Sequence, residues 1–297
     1  MRIGTALIAL CLIHCTSSSG PSEESPDAST LPAADASPPD VPAADDPTAG
    51  IEWFTWPVQQ PDFGQASYGT QLIDIGGHLP ASYGDTYWFD DGLTAGHETS
   101  HGIHAHLRNY EAPASIGWNA FYVLGDRVAF VEEPAMRKSD IKAHIPTGLR
   151  GDRYDLYLEG QIAWDDTPLY VFDEWNSYLN GAEVAVGQVQ AGLYGDGWTD
   201  AVMGPLEFTV YAIATAKAAQ QTAPDYFATN LQFRRFTAWN IARAMRLFAA
   251  GRAMTEFEWD KQDTYAERLR TASEADALRV FARETWGAAW TQTVLGF

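Results

Sequence analysis

Residues 16–50 carry seven acidic side chains, no basic ones and almost no large apolar ones. A stretch of that composition cannot bury enough surface to offset its conformational entropy. It reads as a disordered, self-repelling spacer, so any hydrophobic core has to be built from residues 51–297. The composition changes abruptly at Ile51-Glu52-Trp53-Phe54-Thr55-Trp56, where the ordered region is expected to open. With 46% apolar and 13% aromatic residues in the whole chain, the remainder suffices for one large domain, or one with a helical subdomain.

Residues 1–15 have one basic side chain, Arg2, followed by an apolar run through Ile13, the layout of a secretory signal. The run is too short for a spanning helix, which needs roughly 20 apolar residues. Leu12-Ile13-His14-Cys15 resembles the lipobox of bacterial lipoproteins, although His14 stands where a small residue is usual. The resemblance implies lipidation of Cys15, with Cys11 as the second position. The simpler alternative is a plain secretory signal with incidental cysteines. Both cysteines lie in this segment, so the domain has no disulfide and no thiolate metal site. The net charge of -20 argues against nucleic acid as a partner and against a basic membrane-binding face. The expected location is therefore extracytoplasmic, with membrane contact through a lipid anchor only.

Up to about Asp91 the text is aromatic and punctuated by Gly and Pro, which suggests irregular structure with one or two short strands. Leu93 to Asn109 has helical character, and Asp91 can cap its first-turn amides. Asn119–Leu124, Gly125-Asp126 and Arg127–Glu132 spell a β-hairpin. Ser139–His144 is expected as a short helix and Tyr154–Leu158 as a strand or extended segment. From Pro168 onward, apolar residues recur at helical spacing over Leu169–Gln190, Pro205–Gln220, Asp225–Ala250 and Gln262–Trp286. The expected fold class is α+β, with a small β-containing N-terminal part that includes the hairpin and a predominantly helical C-terminal part.

The chemistry-bearing motif is His97-Glu98-Thr99-Ser100-His101, an H-E-x-x-H pattern inside the first expected helix. Residues four apart on a helix stand on one face about one turn apart, so two imidazoles can reach one Zn2+. Glu98, next to the first ligand, can reach a water at the ion and act as a base. His104 shares the face, but stands roughly 10 Å along the axis from His97 at a rise of 1.5 Å per residue. It is expected as a polar neighbour of the site or a surface residue. His106 points elsewhere and is expected in solvent. His78 and His144 look isolated, with His144 a candidate for polarising a substrate carbonyl.

A catalytic zinc site usually has three protein ligands and one open position. His104 and Leu107 stand where the longer H-E-x-x-H-x-x-G-x-x-H motif has Gly and His, so the third ligand should be a carboxylate from elsewhere. The chain resembles the gluzincin group of zinc metallopeptidases, in which a Glu on a second helix completes the site. The best match is Asp173-Glu174-Trp175-Asn176-Ser177-Tyr178, with Glu174 as the ligand and Asp173, Glu183 and Asp155 as alternatives. The plainer reading of Glu174 is a first-turn acid favoured by the helix dipole. In thermolysin-like members an Asp one turn beyond the Glu orients a zinc-bound His, whereas Tyr178 stands there in this chain. The resemblance covers these two helices and implies a zincin-like fold and a zinc-dependent hydrolase, a peptidase, acting on a peptide or protein substrate. A catalytically inactive zincin-like surface module is the competing reading.

On this reading Glu98 takes the proton of the attacking water and passes it to the leaving amine. Tyr154, Tyr157, Tyr178, His144 and Arg153 are candidate donors to the developing oxyanion. The hairpin offers an edge strand to an extended peptide. The aromatic residues and the Arg-rich stretches Phe233–Phe236 and Ala242–Arg246 are read as core packing and helix faces.

Overall fold

A computed structural model describes residues 46–83, 91–114, 117–195, 201–257 and 261–297. The expected signal segment with Cys11 and Cys15, and most of the expected acidic spacer, lie outside the described residues. The last five spacer residues lie inside it: Asp46 caps a turn at Thr48, and Arg235 donates to the Gly50 carbonyl.

Three strands form an antiparallel sheet in the order β1-β3-β2: β1 (Phe54–Thr55), β2 (Trp118–Tyr122) and β3 (Arg127–Glu132). The hairpin register pairs Tyr122 with Val128 and Trp118 with Glu132. Its turn places Leu124, Gly125 and Asp126 at φ of 64°, 63° and 61°, and Gly and Asp are residue types that tolerate this left-handed conformation. Along β2, Ala120 and Tyr122 pack on one side and Phe121, with Val123 just beyond the strand, on the other, so the sheet is buried on both faces.

Helices make up most of the rest: α1 (Thr70–His78), α2 (Gly92–Tyr110), α3 (Lys138–Lys142), α4 (Tyr170–Gln190), α5 (Met203–Thr222), α6 (Pro224–Thr229), α7 (Leu231–Gly251), α8 (Gln262–Thr271), α9 (Asp276–Trp286) and α10 (Ala288–Leu295). The Asp91 side chain accepts from the Thr94 amide and starts α2 as expected. Four expectations need correction. The region before Asp91 contains a helix, α1, which packs against α2 and α4. Tyr154–Glu159 is a turn of π-helix, its period-two apolar pattern notwithstanding. The single helix expected over 225–250 is two, because Asn230 caps a new start by accepting from the Phe233 amide. The single helix expected over 262–286 likewise breaks at Ala272–Ala275.

Two antiparallel helices, α2 and α4, carry the motif residues, and glycine lets them approach closely. A Cβ at Gly181 would lie 2.7 Å from the Leu93 carbonyl oxygen, and one at Gly96 would lie 2.9 Å from Val184 Cγ2. A polar network ties α4 to its neighbours. Arg243 of α7, fully buried, donates to Glu183, Asn176 and Asn180. Asn176 and Asn180 in turn donate to the Tyr122 carbonyl at 2.6 and 3.0 Å. The carbonyl at the end of β2 is thus taken up by α4.

Candidate metal centre

The helical spacing of four residues does what the motif requires: His97 Nε2 and His101 Nε2 lie 3.1 Å apart on one face of α2. From α4, Glu174 Oε2 stands 3.6 Å from the first and 3.4 Å from the second. These three side chains form a buried group able to hold a metal ion. Glu174 Oε2 is buried and accepts no hydrogen bond, although burying a carboxylate oxygen without a partner is costly. A cation among the three atoms would satisfy it. The other oxygen, Oε1, accepts from the Tyr170 hydroxyl at 2.5 Å.

Asp173, considered from sequence as an alternative ligand, has a different place. Its Oδ1 accepts from His104 Nδ1 at 2.5 Å and from His101 Nδ1 at 3.2 Å. Asn176 Nδ2 approaches His104 Nε2 at 3.1 Å, and Asn176 is itself oriented by Arg243 and the Tyr122 carbonyl. An amide N–H there needs a lone pair on His104 Nε2, which puts the proton on Nδ1 and aims it at Asp173. A neutral His101 donating through Nδ1 would turn the lone pair of Nε2 to Glu174 and His97. A carboxylate holding the far nitrogen of a metal-facing imidazole is the usual support of such sites. His101, His104 and Asp173 are also close enough to form a second group able to hold an ion. His104 is thus buried and hydrogen-bonded to Asp173 rather than lying at the surface.

The charges follow from burial and proximity. Burial and the adjacent His101 hold His97 well below the ordinary imidazole pKa. For His101 burial acts downward, but Glu174 and Asp173 outweigh it and raise the ring well above the ordinary value. Burial pushes the Asp173 carboxyl up, yet His101 and His104 hold it well below the usual carboxylate range. Of the two rings, His101 is therefore the one that holds an added proton more tightly. Burial raises the Glu98 carboxyl; His101 pulls it down and Glu174 pushes it up, with a net rise. Glu98 is half-buried beside this cluster.

The remaining residues singled out from sequence divide into those near the cluster and those outside it. The Tyr178 ring meets His97 edge-on at 4.6 Å, and its hydroxyl shares a hydrogen bond with that of Tyr157. Arg153 lies over the Tyr178 ring and pairs with Glu207. Tyr154 instead donates to Glu159. His144 has Lys217 and Asp140 as its charged neighbours, which belong to no part of the cluster. Glu183 is taken by Arg243, and Asp155 lies beside Tyr154. His78 is far from isolated: it is buried between Asp126, the Asp74 carbonyl and Tyr122, and pins α1 to the hairpin turn. His106, expected in solvent, packs against Trp56 and Tyr110. Sequence reasoning missed Tyr170. An aromatic four residues before a ligand carboxylate on one helix was the available signal.

Comparison with known protein families, with curated proteins and with solved structures finds no match.

Proposed function

We propose that the domain is a zinc-dependent hydrolase of zincin-like type that cleaves peptide bonds, with His97, His101 and Glu174 holding the ion. The observation that carries this reading is the triangle of His97 Nε2, His101 Nε2 and Glu174 Oε2, with edges of 3.1, 3.4 and 3.6 Å. Ligand atoms of a tetrahedral zinc with bonds near 2.05 Å lie about 3.3 Å apart. Two imidazoles and one carboxylate with an open fourth position are the donor set of a catalytic zinc. The likeness to gluzincins supports the same reading, since the third ligand comes from a second helix.

The bound ion supplies Lewis acidity and lowers the pKa of water toward 7. The chain's own residues do the rest. Glu98, with a raised pKa and next to His97, is suited to accept a proton from the attacking water and to hand it to the leaving amine nitrogen. Asp173, accepting from Nδ1, would leave Nε2 of a neutral His101 free for the ion. The Tyr157–Tyr178 pair stands beside His97, where a donor to a developing oxyanion would be needed.

The N-terminal signals complete the proposal: an extracytoplasmic chain tethered by a lipid on Cys15. No helix among the described residues is long and apolar enough to cross a membrane. The test is an unbiased peptide-library digest with the purified chain, with and without chelator, and with Glu98→Gln. Chelator-sensitive cleavage that Glu98→Gln abolishes supports the proposal. A metal-loaded chain that cleaves nothing, and whose binding properties Glu98→Gln leaves unchanged, would identify a surface binding module instead.

A further inference from the structure

Tyr170 has no counterpart in the H-E-x-x-H motif, yet its hydroxyl makes the shortest contact to Glu174, 2.5 Å to Oε1. That is the range of a charge-assisted O–H···O⁻ hydrogen bond. The two residues stand four apart on α4, so one helical turn brings them together. The Tyr170 ring cannot drift: it stacks on Trp164 at 4.8 Å with planes 9° apart and meets Tyr157 on another side. The Glu174 carboxylate is therefore asymmetric. Oε1 is engaged by a fixed phenol, while Oε2 has no hydrogen bond and faces the two Nε2 atoms.

We infer that Tyr170 is a positioning residue that makes Glu174 a one-oxygen ligand and so keeps the fourth position of the proposed zinc site open. A carboxylate with both oxygens free can chelate, which adds a bond and takes up space that a catalytic site leaves for substrate. The phenol removes that option by holding Oε1. This inference rests on the metal-site reading above, and its test can fail separately from that reading.

The experiment uses the full chain loaded with Co2+ in place of zinc, which reports coordination number through its visible absorption. The loaded wild-type protein is expected to show an intense four-coordinate spectrum. Tyr170→Phe keeps the ring stacked on Trp164 and deletes only the hydroxyl. It is expected to give a weaker, five-coordinate spectrum and a zinc affinity lower by about 10–100-fold, the usual effect of losing a group that orients a ligand. A merely structural role would lower the melting temperature without changing the spectrum of the folded, loaded variant, and that result overturns the inference. So does a five-coordinate wild-type spectrum with both Glu174 oxygens bound, which can be read without any variant. A wild-type chain that takes up no Co2+ or Zn2+ overturns the metal-site reading and this inference together.

Discussion

Gly181→Ala separates the packing of α2 and α4 from the chemistry they carry. The added Cβ would lie 2.7 Å from the Leu93 carbonyl oxygen and 3.4 Å from the His97 Cβ. An ordinary carbon–oxygen contact is about 3.3 Å or more, so the helices must part locally by about 0.6 Å. Both partners are backbone or directly attached to it, so no flexible side chain can yield. Overpacking of this kind costs about 1–3 kcal/mol, and the better helix propensity of Ala returns about 1 kcal/mol. The net change in stability is therefore modest, about 0–2 kcal/mol. Metal binding should suffer more. His97 and His101 stand on one helix and Glu174 on the other, and a metal site tolerates only about 0.2 Å of error in bond length. We expect zinc affinity to fall at least about tenfold, equivalent to about 1.4 kcal/mol. The stabilisation conferred by saturating-range zinc should shrink by the same amount, about 3–6 °C in Tm for a domain of this size. Chelator competition and melting curves with and without zinc measure both quantities. Gly96→Ala should do less, because its Cβ meets a side-chain methyl group of Val184. A Gly181→Ala protein that binds zinc as tightly as wild type would refute the reasoning.

Three further outcomes are expected. Glu98→Gln should lower hydrolysis by about 10²–10⁴-fold with zinc content and Tm unchanged; retained cleavage would remove Glu98 from the mechanism. Because His101 holds its proton more tightly than a free imidazole, zinc must displace that proton. Calorimetry in buffers of different ionisation enthalpy should therefore show about one proton released per zinc near neutral pH, and buffer-independent heats would contradict the charge assignment. Glu133, which accepts from the Leu169 amide and from Asn119, is raised by burial from 4.5 to about 7. The folded state thus binds a proton that the unfolded state releases, so this group's contribution to stability is full below about pH 4.5 and lost as pH rises through about 7. Glu133→Gln should flatten the pH dependence of Tm across that window; an unchanged slope would show that Glu133 stays ionised.

What could be read from the sequence was local. Asp91 and the four-residue spacing of His97 and His101 specify α2 and its ligand face without reference to the rest of the chain. The two hairpin strands were likewise legible, but not their register: the turn takes in Leu124 as well as Gly125 and Asp126, so Tyr122 rather than Val123 faces Val128. Glu174 could be singled out because a metal-site reading of the motif asks for a carboxylate from a second amphipathic helix, and α4 does bring it to the two imidazoles. Asp173 was harder: neighbours on a helix diverge by about 100°, and only the axial position of α4 on α2 lets one approach Nε2 of His101 and the other Nδ1. The helix α1 was missed because it is short, contains Gly76 and Gly77, and has Gly69 at its start with no side-chain cap. Residues 154–159 imitate a strand because the apolar positions of a π-turn need not repeat every 3.6 residues. His78 looked isolated because its partners, Asp126 and Tyr122, are 48 and 44 residues away.

The claim beneath all of this is that α2 and α4 together hold one divalent ion. It is tested most directly by measuring metal per mole in the purified chain after exposure to zinc and removal of excess, beside His97→Ala and Glu174→Ala. The account requires close to one zinc per wild-type chain and a large loss in both folded variants. A wild-type chain that retains no metal, or variants that retain it undiminished, would contradict it.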